Sequence, residues 1–244
     1  GQLSVVASIV LLWIFMLIEP LQAQPFTYPY THQDSIVDDY HGTKVLDPYR
    51  WLENPDSPET IDWVEKQNML THAFLNVPVR QKTYEHLSEL WNYPKYSAPQ
   101  RKNKRYFFWK NDVLQNQSVL YRQNHLEEEP SVLLDPNTLS QDGTIAIGQY
   151  QLSKDASLLG YGIAKGGSDW EEIKIRHVDT GKDYPETLQW IRYSGIAWKS
   201  DNSGFYYSRY PEDGVVLNNK IYWHQLGTPQ SNDSLIYERP YQPE

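Results

Sequence analysis

The sequence predicts an α+β chain in which a short helical segment is followed by a long series of β-strands. Two helical patterns lie between Ser57 and Pro94, and the apolar patterns after Pro94 alternate at the spacing of a strand. Tyrosine and tryptophan are abundant, with 19 and 9 residues, and both favour strands. The chain has no cysteine, which excludes disulfides, thiolate metal sites and a cysteine nucleophile.

The first residues predict a leader over 1–23 or, as the main alternative, a membrane anchor. Residues 1–18 are uncharged and largely apolar, Glu19 and Pro20 end the run, and Ala23 is a small residue suited to cleavage. The run is just shorter than the roughly 20 residues of a usual span. A basic segment and an initiator methionine are missing, so translation of an untranslated region is a third interpretation. A working leader would make the mature protein secreted or periplasmic.

Two helices are predicted from capping residues and apolar spacing. Ser57 is a suitable N-cap and Pro58 suits the first helical position, so a helix is expected from there to about Leu75. A second helix is expected between Pro78 and Pro94. The apolar stripe of the first helix consists of Trp63, Val64, Leu70 and Phe74.

The remaining chain predicts short strands that recur as a set. Residues 154–159 resemble 199–205, and residues 173–181 resemble 221–227. Leading strands are expected near 106, 158 and 205, and a repeat of about 40 to 50 residues with about four strands is typical of a propeller blade. About three such units fit, fewer than a closed ring needs, so the pattern predicts a propeller that is cut off. Examples of the predicted short strands are 106–109, 118–121, 131–134, 173–175, 205–207 and 220–223.

No catalytic or metal-binding motif is complete. The segment Gly166-Gly167-Ser168-Asp169-Trp170 approaches a Gly-x-Ser-x-Gly elbow but ends in Trp, so a hairpin turn is predicted there. The glycines over 160–166 precede a strand pattern rather than a helix, which favours strand and turn positions over a dinucleotide loop. The seven histidines lack metal-ligand spacing, and a net charge of -9 argues against a nucleic-acid partner. No cofactor is predicted.

Four early segments carry a specific resemblance. Residues 28–29, 38–45, 47–57 (Asp-Pro-Tyr-Arg-Trp-Leu-Glu-Asn-Pro-Asp-Ser) and 64–68 closely resemble the start of the prolyl oligopeptidase family of serine peptidases. Further matches extend the resemblance from Tyr28 to Glu244; they are residues 93–96, 104–107, 114–117, 134–137, 167–170 and 226–228.

The resemblance implies an α/β-hydrolase domain made from both chain ends, with a seven-bladed propeller inserted between them. Residues 24–93 would be the helical N-terminal part of the peptidase domain, and 94–244 would be a partial propeller of about three blades. The family's Ser, Asp and His lie beyond these segments, so no catalytic residue is assigned. The implied parent is a monomeric endopeptidase that cleaves short peptides after proline, with the propeller as a size-selective gate, and the fragment alone is expected to be inactive.

The resemblance also implies one substrate-binding residue. In the family, an aromatic side chain from an early blade borders the substrate, and the matching segment 191–198 places Tyr193 there, where Phe is usual. The structural alternative is an aromatic residue packed between blades.

Other functions remain open. The chain could be a non-catalytic product that binds peptides or partners through its sheets, or it could derive from the related oligopeptidase that cleaves after basic residues. Members of the family are commonly cytosolic, which the apolar start does not fit.

Overall fold

The computed structural model describes residues 26–212 and 214–241, which form two compact units, one ending at Tyr84 and the other beginning at Glu85. The leader or anchor predicted over 1–23 lies outside the described residues. Within them, no helix is both long enough and apolar enough to cross a membrane.

The first unit contains a hairpin, a 3-10 turn and the predicted helices. Strands β1 (Val37–Tyr40) and β2 (Thr43–Leu46) pair antiparallel, and a 3-10 helix covers Arg50–Glu53. Helix α1 spans Pro58–Leu75, and helix α2 spans Pro78–Trp91 across the boundary of the two units. Both helices were predicted, with bounds that agree to within about three residues.

The start of α1 follows from its capping residues. Ser57 is extended, and its hydroxyl accepts a hydrogen bond from the Thr60 backbone N–H at 3.2 Å, which satisfies one of the free donors of the first turn. Two residues of the predicted apolar stripe are exposed in this unit, Val64 at 42% and Phe74 at 59%, whereas Trp63 and Leu70 are half-buried. The described part of the unit offers only a two-stranded hairpin as a sheet, too little to cover a helix of this length.

The described part of the second unit contains three antiparallel sheets. In the first sheet, β3, β5, β6 and β7 run in spatial order and β4 also pairs with β5. In the second and third sheets, four consecutive strands lie side by side, β8 to β11 and β12 to β15. The bounds are β3 (Lys95–Tyr96), β4 (Gln100–Lys102), β5 (Arg105–Asn111), β6 (Val119–Gln123), β7 (Ser131–Leu134), β8 (Ile145–Leu152), β9 (Leu158–Lys165), β10 (Trp170–His177), β11 (Asp183–Arg192), β12 (Ala197–Trp198), β13 (Gly204–Arg209), β14 (Lys220–Gln225) and β15 (Ser234–Tyr237).

Equivalent turns confirm the predicted repeat of the second and third sheets. The Asp155 carboxylate accepts a hydrogen bond from the Ser157 backbone N–H at 3.0 Å, and Asp201 accepts the same bond from Ser203 at 3.0 Å. In each turn the residue between them has a left-handed backbone, with φ of 59° at Ala156 and 58° at Asn202. The two turns are therefore the same local structure, 46 residues apart.

The predicted leading strands near 106, 158 and 205 are wrong. Strands β3 and β4 precede β5 in the first sheet, β8 precedes β9 in the second, and β12 precedes β13 in the third. The alternation of apolar residues does not predict β8, because Gly148 and Gln149 interrupt its apolar positions. The pairing of β8 with β9 also shifts register at these two residues.

Two apolar cores join the three sheets. The first packs Phe107, Leu120 and Leu134 of the first sheet against Leu159 and Tyr161 of the second. The second core joins the second and third sheets; its buried members are Ile173, Ile175, Leu188, Ile191, Ile196, Phe205 and Tyr207. The middle sheet is therefore buried on both faces, as in stacked blades.

Candidate substrate-binding site

The end of the β10–β11 hairpin carries Tyr193, the residue predicted to border a peptide. Trp170 lies opposite Arg192, and Glu171 lies opposite Ile191, so the start of β10 meets the end of β11. Tyr193 follows directly after β11. The pairing therefore brings Tyr193 close to the first residues of β10 and to the predicted turn that precedes Trp170.

Tyr193 projects outward rather than into a core. The residue is 74% exposed, and its backbone has a φ of 52°, which is unfavourable for a bulky side chain. Its hydroxyl donates a hydrogen bond to Asp169 Oδ2 at 2.6 Å, and the Arg192 guanidinium donates to the same oxygen at 2.7 Å. These bonds hold an aromatic ring at the surface of the hairpin.

The charges around Tyr193 are matched. The hydrogen bond from Tyr193, together with that from Arg192, holds the pKa of the Asp169 carboxyl below its ordinary value. The Arg192 guanidinium lies 5.0 Å from the centre of the Tyr193 ring and 5.8 Å from that of Trp170, within cation–π range. Two aromatic rings therefore flank a cation whose charge a carboxylate already balances.

A β-bulge next to this cluster opens a cavity. Glu171 faces Ile191 but Ile173 faces Leu188, so two residues of β11, Gln189 and Trp190, oppose one residue of β10. Trp190 has a φ of 63°, and its ring meets the Trp170 ring edge to face at 6.2 Å. The cavity has a volume of about 310 Å³, within the range of small-ligand pockets. Its lining includes Ile163, Lys165, Ser168, Trp170, Glu172 and Trp190.

Glu171 reaches from β10 across the middle of the sheet. A Cβ atom built at either Gly148 or Gly162 would overlap its carboxylate, so the side chain lies over two positions that have no side chain of their own. Gln149 donates its amide N–H to Glu171 Oε2 at 3.1 Å. Partial burial raises the pKa of the Glu171 carboxyl.

A histidine–aspartate pair elsewhere in the unit is structural. His224 Nδ1 lies 2.8 Å from Asp233 Oδ1, and the Tyr207 hydroxyl donates to Asp233 Oδ2 at 2.6 Å. The side chains of His224 and Asp233 are 0% exposed, and His224 Nε2 lies 3.9 Å from Glu186 Oε1. No peptide can reach a group buried to this degree. In the described residues, no serine hydroxyl is hydrogen bonded to a histidine ring.

Comparison with known proteins identifies the family. Residues 28–244 match the family model described as prolyl oligopeptidase, N-terminal beta-propeller domain. The chain belongs to the prolyl oligopeptidase family. The three stacked antiparallel sheets are those of its β-propeller domain, and the resemblance inferred from the sequence is confirmed.

Curated relatives match this chain over part of their own length. The prolyl endopeptidase of Elizabethkingia meningoseptica is 41% identical over 217 residues, which cover 86% of this chain and 30% of the relative. The prolyl endopeptidase of Elizabethkingia miricola is 40% identical over 230 residues, covering 91% of this chain and 32% of the relative. The chain thus spans about a third of the length of the curated relatives it matches.

Solved structures of the family share the fold. One structure, from a study of two prolyl endopeptidases, superposes with a TM-score of 0.75 at 31% identity, covering 88% of this chain and 33% of that one. Prolyl oligopeptidase B from Galerina marginata, bound to a 35mer hydrolysis and macrocyclization substrate, gives a TM-score of 0.71 at 29% identity, covering 88% and 33%.

Proposed function

We propose that this chain is the front part of a serine endopeptidase that hydrolyses short peptides on the carboxyl side of proline. The observation that carries the proposal is the match of residues 28–244 to the propeller domain of the prolyl oligopeptidase family. Relatives with about 40% identity are prolyl endopeptidases, which favours proline over the basic residues preferred by the related oligopeptidase.

In the proposed whole enzyme, the catalytic groups come from outside this chain. A serine would attack the peptide carbonyl, a histidine would accept its proton, and an aspartate would orient the histidine. Residues 24–93 would form the N-terminal part of the hydrolase domain, and residues 94–244 would form about three of seven propeller blades. The propeller would act as a gate that admits short peptides only. The chain alone would therefore be inactive, as the sequence contains no Gly-x-Ser-x-Gly elbow.

Tyr193 is proposed to border the peptide on the amino-terminal side of the proline. Its exposed ring, fixed by Asp169 and flanked by Arg192, offers a flat aromatic surface at the end of the hairpin. Aromatic surfaces of this kind bury peptide side chains at low entropic cost, because the ring has few rotatable bonds.

Two assays on a chromogenic proline peptide test the proposed function. The purified 244-residue chain should give no hydrolysis above buffer. A chimera that joins the chain to the remaining sequence of the Elizabethkingia meningoseptica enzyme should cleave after proline, with that intact enzyme as control. In the chimera, Tyr193→Ala should raise KM and Tyr193→Phe should not. Hydrolysis by the chain alone, or a chimera that cleaves only after Lys or Arg, would contradict the proposal.

A further inference from the structure

Three carboxylates lie close together at the start of β10, and two of them have a cationic partner. Asp169 pairs with Arg192 at 2.7 Å, and Glu172 pairs with Lys165 at 3.1 Å. These two carboxylates are electrically balanced within the hairpin. The third, Glu171, lies between them in sequence and on the opposite face of β10 from Glu172.

Glu171 has no cationic partner among the described residues. Its one hydrogen-bonding partner there is the neutral amide of Gln149, and no lysine or arginine lies within ion-pair distance. The raised pKa of its carboxyl reflects burial that no positive charge offsets. A partly buried carboxylate in this state is stabilised by any cation that reaches it, since charge-assisted bonds are stronger than neutral ones.

Glu171 lines the cavity beside the β-bulge, together with Trp170 and Trp190. Its carboxylate oxygens lie directly over Gly148 and Gly162, where an added methyl group would overlap them. Gly148 and the neighbouring Ala146 are exposed, so solvent reaches the sheet on this side. The carboxylate therefore lies in a recess that a ligand can enter.

The recess belongs to the same end of the hairpin as Tyr193. Glu171 faces Ile191 across the strands, and Tyr193 lies two residues beyond Ile191. A peptide that lies along the Tyr193 ring would place its neighbouring residues within reach of this end of β10.

We propose that Glu171 is a specificity-determining residue that binds a cationic group of the substrate, an ammonium or a guanidinium on the amino-terminal side of the proline. The inference rests on the proposed function. The inference adds to that function a preference for peptides that carry a basic side chain or a free amino terminus next to Glu171.

The test measures peptide binding to the 244-residue chain by ¹H–¹⁵N NMR titration. The probe is acetyl-Arg-Ala-Pro-amide, and its neutral isostere carries citrulline in place of arginine. A second pair, Ala-Ala-Pro-amide with a free or an acetylated amino terminus, distinguishes a terminal ammonium from a basic side chain. Hydrolysis of the chromogenic proline peptide by the chimera tests the proposed function separately.

The arginine peptide should bind about fivefold more tightly than the citrulline peptide, the ratio expected for one partly exposed ion pair. Glu171→Gln should remove this ratio and keep the affinity for the citrulline peptide. Glu172→Gln is the matched control, and it should keep the ratio because its carboxylate pairs with Lys165. Lowering the pH through the raised pKa of Glu171 should also remove the ratio in the unmodified chain, since protonation neutralises the carboxylate.

Equal binding of the arginine and citrulline peptides overturns the inference while leaving the proposed function intact, since cleavage after proline by the chimera tests that function separately. A ratio that survives Glu171→Gln also overturns it. Failure of every peptide to bind the chain also overturns the inference, whereas the proposed function depends on hydrolysis by the chimera.

Discussion

Gly204 shows how closely two backbones approach in the third sheet. A Cβ atom there would overlap the carbonyl oxygen of His224 on the neighbouring strand and would lie 2.9 Å from the Trp223 ring. A backbone carbonyl within a paired ladder cannot move aside as a flexible side chain can. Gly195, by contrast, has open space around the same built position.

Gly204→Ala should lower the free energy of unfolding by about 3 kcal/mol, because the added methyl group forces the two strands apart. Gly195→Ala should change it by less than about 0.5 kcal/mol. Urea denaturation followed by tryptophan fluorescence measures both. Equal stability of the two variants would show that the third sheet accommodates the methyl group.

Sequence reasoning located one residue of the candidate site and missed another. Tyr193 was predicted because a contiguous segment resembles the family. Glu171 has no local signal, since its setting is made by Gly148, Gly162 and Gln149 from two other strands. Only the register of β8, β9 and β10 brings these positions together, and no single segment of the sequence determines that register.

Local interactions decide which helices, turns and strands can be predicted from the sequence. Helix α1 begins where Ser57 and Pro58 place it, because capping acts between residues three apart. The turns at Asp155 and Asp201 are equally local, and the repeat was visible for that reason. Strand β8 was missed because its stability comes from pairing with β9, not from its own alternation.

A buried hydrogen-bond network joins β13, β14 and the turn before β15. Asp233→Ala should lower the free energy of unfolding by about 3 kcal/mol, because it leaves the Tyr207 hydroxyl and the His224 ring without their buried acceptor. Asp112→Ala is the matched control; its carboxylate is exposed and pairs with Lys110 at 2.9 Å. That surface pair should contribute less than about 1 kcal/mol. Chemical denaturation compares them, and equal losses would contradict a structural role for the network.

At the scale of the whole second unit, the middle sheet is the shared part of both cores. Residues of one face, such as Tyr161, pack toward the first sheet, and residues of the other, such as Ile173, pack toward the third. Six consecutive residues of β9, Leu158 to Ile163, are buried, whereas all four residues of β15 are exposed. Stability should therefore vary across the unit.

Hydrogen exchange should reveal this gradient. Amide protons of β9 should exchange far more slowly than those of β15, because opening β9 requires both cores to separate. Mass spectrometry of exchanged peptides, or NMR at single residues, provides the measurement. Comparable exchange of β9 and β15 would mean that the three sheets open as one cooperative unit.

The two glycines beneath Glu171, Gly148 and Gly162, have a consequence for how relatives of this chain diverge. A side chain at position 148 or 162 and a carboxylate at 171 compete for the same volume, so a lineage can keep one or the other but not both. Evolution should therefore link the three positions. Sequences that retain the acid at 171 should retain both glycines, and sequences that lose it should be free to fill the recess.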